Sequence, residues 1–334
     1  MRHARGYGGR TGSCFRLWGA DAVKLVIQNL RQATQTGRKK LSRRILHFRM
    51  RGQPEADILR EERKLRGIEQ HDKLRKADIV FVSFGKSGRT WLRMMVSHLF
   101  RVKYGLPDNA ILGFDNFHNL NRSVPKTFFT HDNYIKDYTG DFETKSPFYD
   151  KPVVLLARDP RDVAVSQFFQ WKFRIKPTKV AINNYPPRGS DISLFDFVMG
   201  DNGGSMRAVT DYLNLWAKEA DQVERFHLLR YEDLRAQPRD QLRKLLDFIA
   251  VEANEAQVNA AVDYSSYENM KSMETKQQFR LAGGRMMPRD KDNPDSYKVR
   301  RAKVGGYRDY FSDEEVAAID ARLAETLDSL FRYE

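Results

Sequence analysis

Short apolar runs alternate with segments of helical period from residue 78 onward, and this alternation constrains the fold more than any other feature. The runs are Ile79–Val82, Lys126–Thr130, Val153–Leu156 and Phe226–Leu229. The third is continuously apolar and the fourth is interrupted only by His227, a pattern typical of strands buried on both faces. Helical segments lie between and after the runs, at Trp91–Tyr104, Asp162–Phe173, Ser205–Glu224 and Gln241–Ala250. We therefore predict an α/β domain whose helices cross over between parallel strands. A capping box of Ser312 and Glu315 predicts a last helix that reaches Phe331.

The basic excess of the chain lies mostly at its beginning. The chain has 58 Lys and Arg against 44 Asp and Glu, and residues 1–50 contain twelve of the basic residues but only one acid, Asp21. This distribution argues against a globally basic domain, so we predict no nucleic-acid partner. Residues 1–76 are predicted to be a basic extension followed by an exposed linker helix. The extension either stays solvated or forms an amphipathic arm that contacts an anionic membrane surface.

Cysteine usage and hydropathy bear on the compartment. Cys14 is the one cysteine, so the chain cannot form an internal disulfide. Disulfide-free chains fit a reducing environment. The most apolar N-terminal segment, Cys14–Leu30, contains Arg16, Asp21 and Lys24 and is interrupted too often to span a membrane. We therefore predict a cytoplasmic protein, with peripheral membrane contact left open.

The segment after the first run is typical of an anion-binding loop. Phe84 is followed by Gly85-Lys86-Ser87-Gly88-Arg89-Thr90-Trp91, which leads directly into a helical segment. A turn of small residues at a helix start exposes backbone N–H groups that suit phosphate or sulfate. A nucleotide kinase would need a glycine where Val80 stands, so the Walker pattern fails. Taken alone, the segment is equally compatible with an ordinary glycine turn.

A second segment, after the third run, changes this interpretation. Arg158 to Ser166 reads R-D-P-R-D-V-A-V-S, with Arg158 at a strand end and Ser166 two helical turns later. The two segments together resemble the nucleotide-binding signatures of the sulfotransferases that use 3′-phosphoadenosine 5′-phosphosulfate (PAPS). In that family the first loop holds the 5′-phosphosulfate and the second segment holds the 3′-phosphate. The resemblance implies a P-loop-like three-layer sandwich, a sulfotransferase domain over residues 77–334 and PAPS as donor.

Three further segments follow in the order of that family. Tyr231 stands in Y-E-D-L, Ser265-Ser266-Tyr267 begins a segment similar to T-S-F-x-x-M, and Arg300-Arg301-Ala302 lies in a segment similar to R-K-G-x-x-G-D-W. The family places the first two around the adenine and the third on the 3′-phosphate. The residues implied to bind the nucleotide are Lys86, Ser87, Gly88, Arg89, Thr90, Trp91, Arg158, Ser166, Tyr231, Ser265, Ser266, Tyr267, Met270, Arg300, Arg301 and Ala302.

Sulfuryl transfer requires a group that removes the acceptor proton and a group that neutralises the leaving phosphate. Lys86 lies in the anion loop and suits the second task. His131 suits the removal of the acceptor proton. It directly follows the run Lys126–Thr130, and parallel sheets carry reactive groups at the carboxyl ends of their strands. It also resembles the histidine of the family's K-T-H segment, which is the general base. The resemblance makes Ser166 a partner of Lys86 that restrains hydrolysis. No metal is implied, and no carboxylate cluster stands out.

The chain departs from the family pattern at several positions. Phe129 stands where many members carry a lysine, Arg89 replaces a threonine and Gly85 replaces a proline. The segment 308–317 departs from the family's dimerisation motif, so the resemblance does not extend to a family-style dimer and the oligomeric state is left open.

The acceptor is the least constrained part of the prediction. Phe84, Phe129, Tyr134 and Phe169 are the predicted aromatic walls of the acceptor pocket. A basic insertion over residues 172–191 favours an acidic acceptor, which we expect to be a saccharide or a glycolipid. A small phenol or alcohol remains an alternative. A catalytically silent nucleotide-binding scaffold is the alternative of another class.

Overall fold

A computed structural model describes residues 30, 33–34, 36–279 and 286–333. Its centre is one parallel sheet with the strand order β2-β1-β3-β4. The strands are β1 (Ile79–Val82), β2 (Thr127–Thr130), β3 (Pro152–Ala157) and β4 (Arg225–Arg230). Each strand overlaps its predicted run to within a residue at either end. The predicted α/β architecture, a central parallel sheet flanked by helices, is confirmed.

Helices join the strands and cover the sheet. Residues 36–49 are helical and form α1. The other helices are α2 (Glu55–Lys76), α3 (Arg89–Tyr104), α4 (Asn116–Leu120), α5 (Ile135–Thr139), α6 (Pro160–Phe173), α7 (Leu194–Met199), α8 (Met206–Glu219), α9 (Tyr231–Ala236), α10 (Pro238–Phe248), α11 (Glu255–Tyr264), α12 (Tyr267–Thr275) and α13 (Asp313–Thr326).

Successive residues of β1 contribute to different cores, one on each face of the sheet. Phe81 belongs to a buried cluster with Leu99 of α3. Val82 belongs to a second cluster with Trp216 of α8. Alternation of side chains along a strand explains why a continuously apolar run fills both layers. The prediction that the fourth run is buried on both faces is wrong for most of β4, where only Leu229 is buried, because β4 forms an edge of the sheet.

The last helix begins as predicted and ends earlier. The Ser312 N–H donates to Glu315 Oε2 at 2.9 Å, and the Glu315 N–H donates to Ser312 Oγ at 3.3 Å. The helix ends at Thr326 instead of Phe331. Asn214 of α8 accounts for this end, because its amide donates to the Thr326 carbonyl at 2.6 Å and accepts from the Asp328 N–H at 2.9 Å.

The predicted linker helix exists as α2 but is not fully exposed. A Cβ at Gly67 would lie 2.3 Å from the Tyr134 carbonyl oxygen, so the helix touches the backbone beside α5. Arg63 adds an ion pair with Asp137 of α5 at 2.8 Å. The predicted basic arm covers residues 1–50, of which 1–29, 31–32 and 35 lie outside the described residues. Its described part includes α1, where Arg43 forms an ion pair with Glu69 of α2 at 2.9 Å. No helix of the described ranges is long and apolar enough to cross a membrane.

Candidate active site

The carboxyl ends of all four strands meet at one edge of the sheet. The register pairs Val82 with Thr130 and with Leu155, and Ala157 with Arg230. The residues that follow the strands are therefore neighbours: the anion loop after β1, His131 after β2, Arg158 after β3 and Tyr231 after β4. A cavity of about 1060 Å³ opens at this edge.

The anion loop needs left-handed backbone at two positions. Lys86 has φ 73° and Gly88, the residue before α3, has φ 95°. A Cβ at Gly88 would lie only 2.6 Å from Cδ2 of Tyr231, so glycine also allows the loop to touch the residue after β4. Gln167 of α6 donates from Nε2 to the Gly85 carbonyl at 2.8 Å and fixes the other side of the loop.

Arg158 joins three of the predicted motifs. Its Nη1 donates to the Lys86 carbonyl at 3.3 Å, and its Nη2 donates to the Lys303 carbonyl at 3.2 Å. Its guanidinium lies 4.4 Å from the centre of the Tyr231 ring. The anion loop, the end of β3 and the C-terminal loop thus converge on one side chain, as a shared nucleotide cradle requires.

Two buried carboxylates fasten the C-terminal loop to the cradle. Asp162 of α6 accepts from the N–H groups of Gly305 and Tyr307, both at 3.0 Å. Glu274 of α12 is fully buried and accepts from the N–H groups of Lys298 and Val299 at 2.9 Å. These contacts place the backbone of residues 298–307 against α6 and α12 and so position the basic pair that follows Val299.

The environment of Lys86 changes its acidity. Burial lowers the pKa of the Lys86 ammonium to about 7, together with the charges of neighbouring cations, among which Arg174 has the largest effect. The other cations that act on Lys86 are Lys298, Arg300 and Arg158. A buried lysine whose pKa is lowered by several neighbouring cations indicates a site that binds an anion.

His131 has a partner at each ring nitrogen. Nδ1 lies 2.7 Å from the Ser83 carbonyl oxygen and Nε2 lies 2.6 Å from Nη2 of Arg89. Burial, followed by the charge of Arg89, lowers the pKa of His131 well below its usual value. The imidazole is therefore neutral at neutral pH, the state in which it can accept a proton.

The structure brings most predicted site residues to the cavity wall. Those that line it are Phe84, Lys86, Gly88, Arg89, Thr90, Trp91, His131, Arg158, Ser166, Tyr231, Ser265, Tyr267, Met270, Arg300, Arg301 and Ala302. Two predicted nucleotide contacts are not among the lining residues: Ser87 is buried, and Ser266 caps α12 through a hydrogen bond from the Asn269 N–H.

Three of the predicted aromatic walls also lie away from the cavity. The half-buried Phe129 packs against the core and stacks on Phe81, with 4.6 Å between ring centres. The buried Tyr134 donates from its hydroxyl to Asn183 Oδ1 at 2.6 Å. Phe169 carries the guanidinium of Arg300 on its face at 3.6 Å. These three rings pack behind the residues that line the cavity, because neighbouring side chains form the cavity surface.

Sequence reasoning did not single out several residues at the acceptor end. These are Tyr212 of α8, Tyr185 of the insertion and Lys136 of α5, which all line the cavity. Arg174, Lys176 and Lys179 also line it, and they belong to the basic insertion 172–191 that the sequence analysis did single out. No sequence pattern marks Tyr212 or Lys136 as cavity residues, because tertiary packing sets their positions on α8 and α5. Among the described residues, no three His, Cys, Asp or Glu side chains form a cluster that could hold a metal ion.

The chain is similar to known proteins over most of its length. Residues 76–331 match the family model described as the sulfotransferase domain. Cytosolic sulfotransferase 1 of Arabidopsis thaliana is 26% identical over 281 residues, which cover 75% of this chain and 78% of the relative. Flavonol 4′-sulfotransferase of Flaveria chlorifolia is 24% identical over 284 residues, covering 78% and 82%. The solved structure of mouse sulfotransferase SULT7A1 complexed with PAP superposes with a TM-score of 0.51 at 19% identity, covering 79% of this chain and 92% of that one.

Proposed function

The chain belongs to the sulfotransferase family, and from this premise we propose that it transfers the sulfuryl group of PAPS to an acceptor hydroxyl by in-line displacement. One observation carries the proposal: Lys86 and His131, the two groups that the reaction needs, line the same cavity as Arg158 and Tyr231. The bound PAP in the SULT7A1 structure supports PAPS as the donor.

The cradle suits a doubly phosphorylated nucleotide. Backbone N–H groups at the start of α3 would bind the 5′-phosphosulfate, and Arg158, Ser166 and Arg300 would bind the 3′-phosphate. Arg158 supports this assignment, because its Nε is buried without a hydrogen-bond partner in the described part of the chain. The rings of Trp91, Tyr231 and Tyr267 would enclose the adenine. The donor, when bound, supplies an activated sulfuryl group.

The chain's own residues perform the two tasks at the reacting centre. The ammonium of Lys86 neutralises the charge that grows on the leaving phosphate oxygen. His131 accepts the acceptor's proton at Nε2, because Nδ1–H donates to the Ser83 carbonyl and fixes that tautomer. Ser166 lines the cavity with Lys86, which is compatible with its proposed role of holding that lysine until acceptor binds.

The lowered pKa of Lys86 predicts a pH dependence. The ammonium is present below pH 7 and is lost as the pH rises through about 7 in the free protein. We therefore expect kcat/KM for PAPS to fall above neutrality by about tenfold per pH unit. The kcat should fall only at higher pH, because bound phosphosulfate raises the pKa of the lysine. Initial rates across pH at limiting and saturating PAPS measure both profiles, and superimposable profiles would contradict the assignment.

The phosphate contacts predict a different kind of loss. Arg158→Ala and Arg300→Ala should each weaken PAP binding about ten- to a hundredfold, because hydrogen bonds to a charged phosphate are strong. Arg207→Ala is the matched control, since Arg207 pairs with Asp201 on the exposed side of α8. Isothermal titration calorimetry with PAP measures the change. Unchanged affinity in either cradle variant would remove that arginine from the nucleotide site.

For the acceptor we propose a saccharide or a glycolipid that carries acidic groups. Lys136 and Lys179 line the cavity, and in the described residues no carboxylate forms an ion pair with either. Burial and the charge of Arg66 lower the pKa of Lys179 to about 7, so an anion at this position would be favoured. The flavonol relative favours the second candidate, a phenol.

A direct assay separates these acceptors and tests the reaction. The full chain is incubated with PAPS and, separately, with acidic polysaccharides, glycolipids and phenols, and release of PAP is measured. The Lys86→Met variant is the blank. We expect release above the blank with an acidic carbohydrate or glycolipid, whereas release with phenols alone would contradict the acceptor proposal. No release with any acceptor would contradict the transfer itself and favour a nucleotide-binding scaffold.

The relatives named cytosolic support a location in the cytoplasm. Contact of residues 1–50 with an anionic membrane stays a prediction from the sequence.

A further inference from the structure

Arg89 makes a short contact with the proposed base. It is the first residue of α3 and directly follows the loop glycine Gly88. Its Nη2 lies 2.6 Å from Nε2 of His131, while the other ring nitrogen lies 2.7 Å from the Ser83 carbonyl oxygen. The imidazole is therefore held from both ends, by a backbone acceptor on one side and a guanidinium on the other.

These two partners leave one protonation state for the ring. A carbonyl oxygen only accepts, so Nδ1 carries the hydrogen. A guanidinium only donates, so Nε2 presents its lone pair to Arg89. A proton on Nε2 would face an N–H group and a positive charge, and this contact therefore opposes protonation of the base. Two further cations, Arg93 of α3 and Lys298 of the C-terminal loop, act on His131 in the same direction. The adjacent Asp132 is paired with Lys145 at 2.7 Å.

The contact also has a cost for catalysis. The lone pair that would accept the acceptor's proton is the one that Arg89 occupies, and one lone pair cannot serve both. Arg89 must therefore leave Nε2 before the acceptor hydroxyl can be activated.

We propose that Arg89 is a positioning residue that holds His131 neutral in the Nδ1–H tautomer and moves its hydrogen bond to the sulfuryl group when PAPS binds, which frees Nε2 for the acceptor. This inference rests on the proposed function for the identity of the donor. A guanidinium binds an anionic oxygen more strongly than a neutral imidazole nitrogen. Arg89 belongs to the anion loop, and this loop would bind the sulfuryl group. The bound sulfuryl group would therefore lie close to the Arg89 side chain.

The proposal assigns an order to the site. Without donor, the base is shielded by Arg89. With donor, the same arginine contributes charge at the sulfuryl oxygens and the base becomes available. Activation of the acceptor hydroxyl is thereby tied to the presence of a sulfuryl group.

The test observes His131 in the full-length protein by ¹⁵N NMR, independently of turnover. Arg89→Met removes the charge and the donor, and Arg89→Gln keeps an N–H donor without the charge. Lys103→Met, near the other end of α3, is the control, about 20 Å away along the helix. We expect Arg89→Met to raise the measured pKa of His131 by about one pH unit and the control to leave it unchanged. The glutamine variant should keep the Nδ1–H tautomer while the pKa rises. An unchanged pKa in both Arg89 variants would overturn the holding role.

A second arm tests the movement. PAPS added to the wild-type protein without acceptor should shift the Nε2 resonance of His131, and PAP, which lacks the sulfuryl group, should shift it much less. Equal shifts with PAP and PAPS, or none with PAPS, would overturn the transfer of the hydrogen bond. If the wild-type protein releases no PAP in the acceptor assay, the proposed function fails, whereas the pKa comparison still decides whether Arg89 holds His131.

Discussion

Replacement of Lys86 by methionine is expected to lower kcat about a thousandfold, because it removes the ammonium that we assign to the leaving phosphate oxygen. Methionine keeps most of the volume of the side chain, and the loop conformation should persist because Gln167 and Arg158 fix the carbonyls of Gly85 and Lys86. Turnover of PAPS with a saturating acceptor measures the loss.

The affinity of this variant for PAP separates chemistry from binding. Arg158 and the N–H groups at the start of α3 remain in place, so PAP affinity should change by less than about tenfold. Lys103→Met, which removes a lysine from the distal end of α3, is the matched control and should retain wild-type turnover. A Lys86→Met protein that keeps more than about a tenth of wild-type kcat would exclude the lysine from the leaving-group role.

Replacement of His131 by alanine is the second large effect that we expect, a fall in kcat of about a hundred- to ten-thousandfold. Without the imidazole, the titratable group that remains directly after β2 is Asp132, whose carboxylate is held in an ion pair with Lys145. The cradle for the nucleotide does not include His131, so PAP binding should be preserved.

Chemical rescue makes the second prediction specific. Imidazole added at high concentration should restore part of the turnover of His131→Ala, because a free base can enter the space left by the side chain. Added imidazole should not restore Lys86→Met, in which the missing group is an ammonium. Wild-type turnover by His131→Ala, with or without imidazole, would refute the assignment of the base.

The sequence predicted the sheet, and which residues meet at its edge, because both depend on local signals. A parallel strand buried on both faces is a short apolar run, and the loop that follows it carries small and charged residues that strand packing does not require. Four apolar runs directly precede the anion loop, His131, Arg158 and Tyr231. Once these runs are assigned to one parallel sheet, the carboxyl ends of the four strands must lie at one edge. The residues of the cradle could therefore be grouped without knowing any distance.

The acceptor end could not be predicted in the same way. Phe129 lies near the active edge in sequence, but its half-buried ring stacks on Phe81 of the core. Whether an aromatic residue faces a cavity or a neighbouring ring depends on which element covers it, and that is a property of tertiary packing. Tyr212 illustrates the converse case: it lines the cavity from the middle of α8, a helix whose pattern indicates only an amphipathic surface element.

The dependence of the cradle on its last segment has a consequence for synthesis of the protein. Arg158 and Asp162 bind backbone groups of Lys303, Gly305 and Tyr307, so the cradle is closed by residues that the ribosome adds after the anion loop, the sheet and α12. A nascent chain that has emerged only as far as α12 holds the anion loop and the base but lacks the backbone that completes the cradle. The cradle is therefore complete only after residues 303–307 have been synthesised and have packed against Arg158 and Asp162.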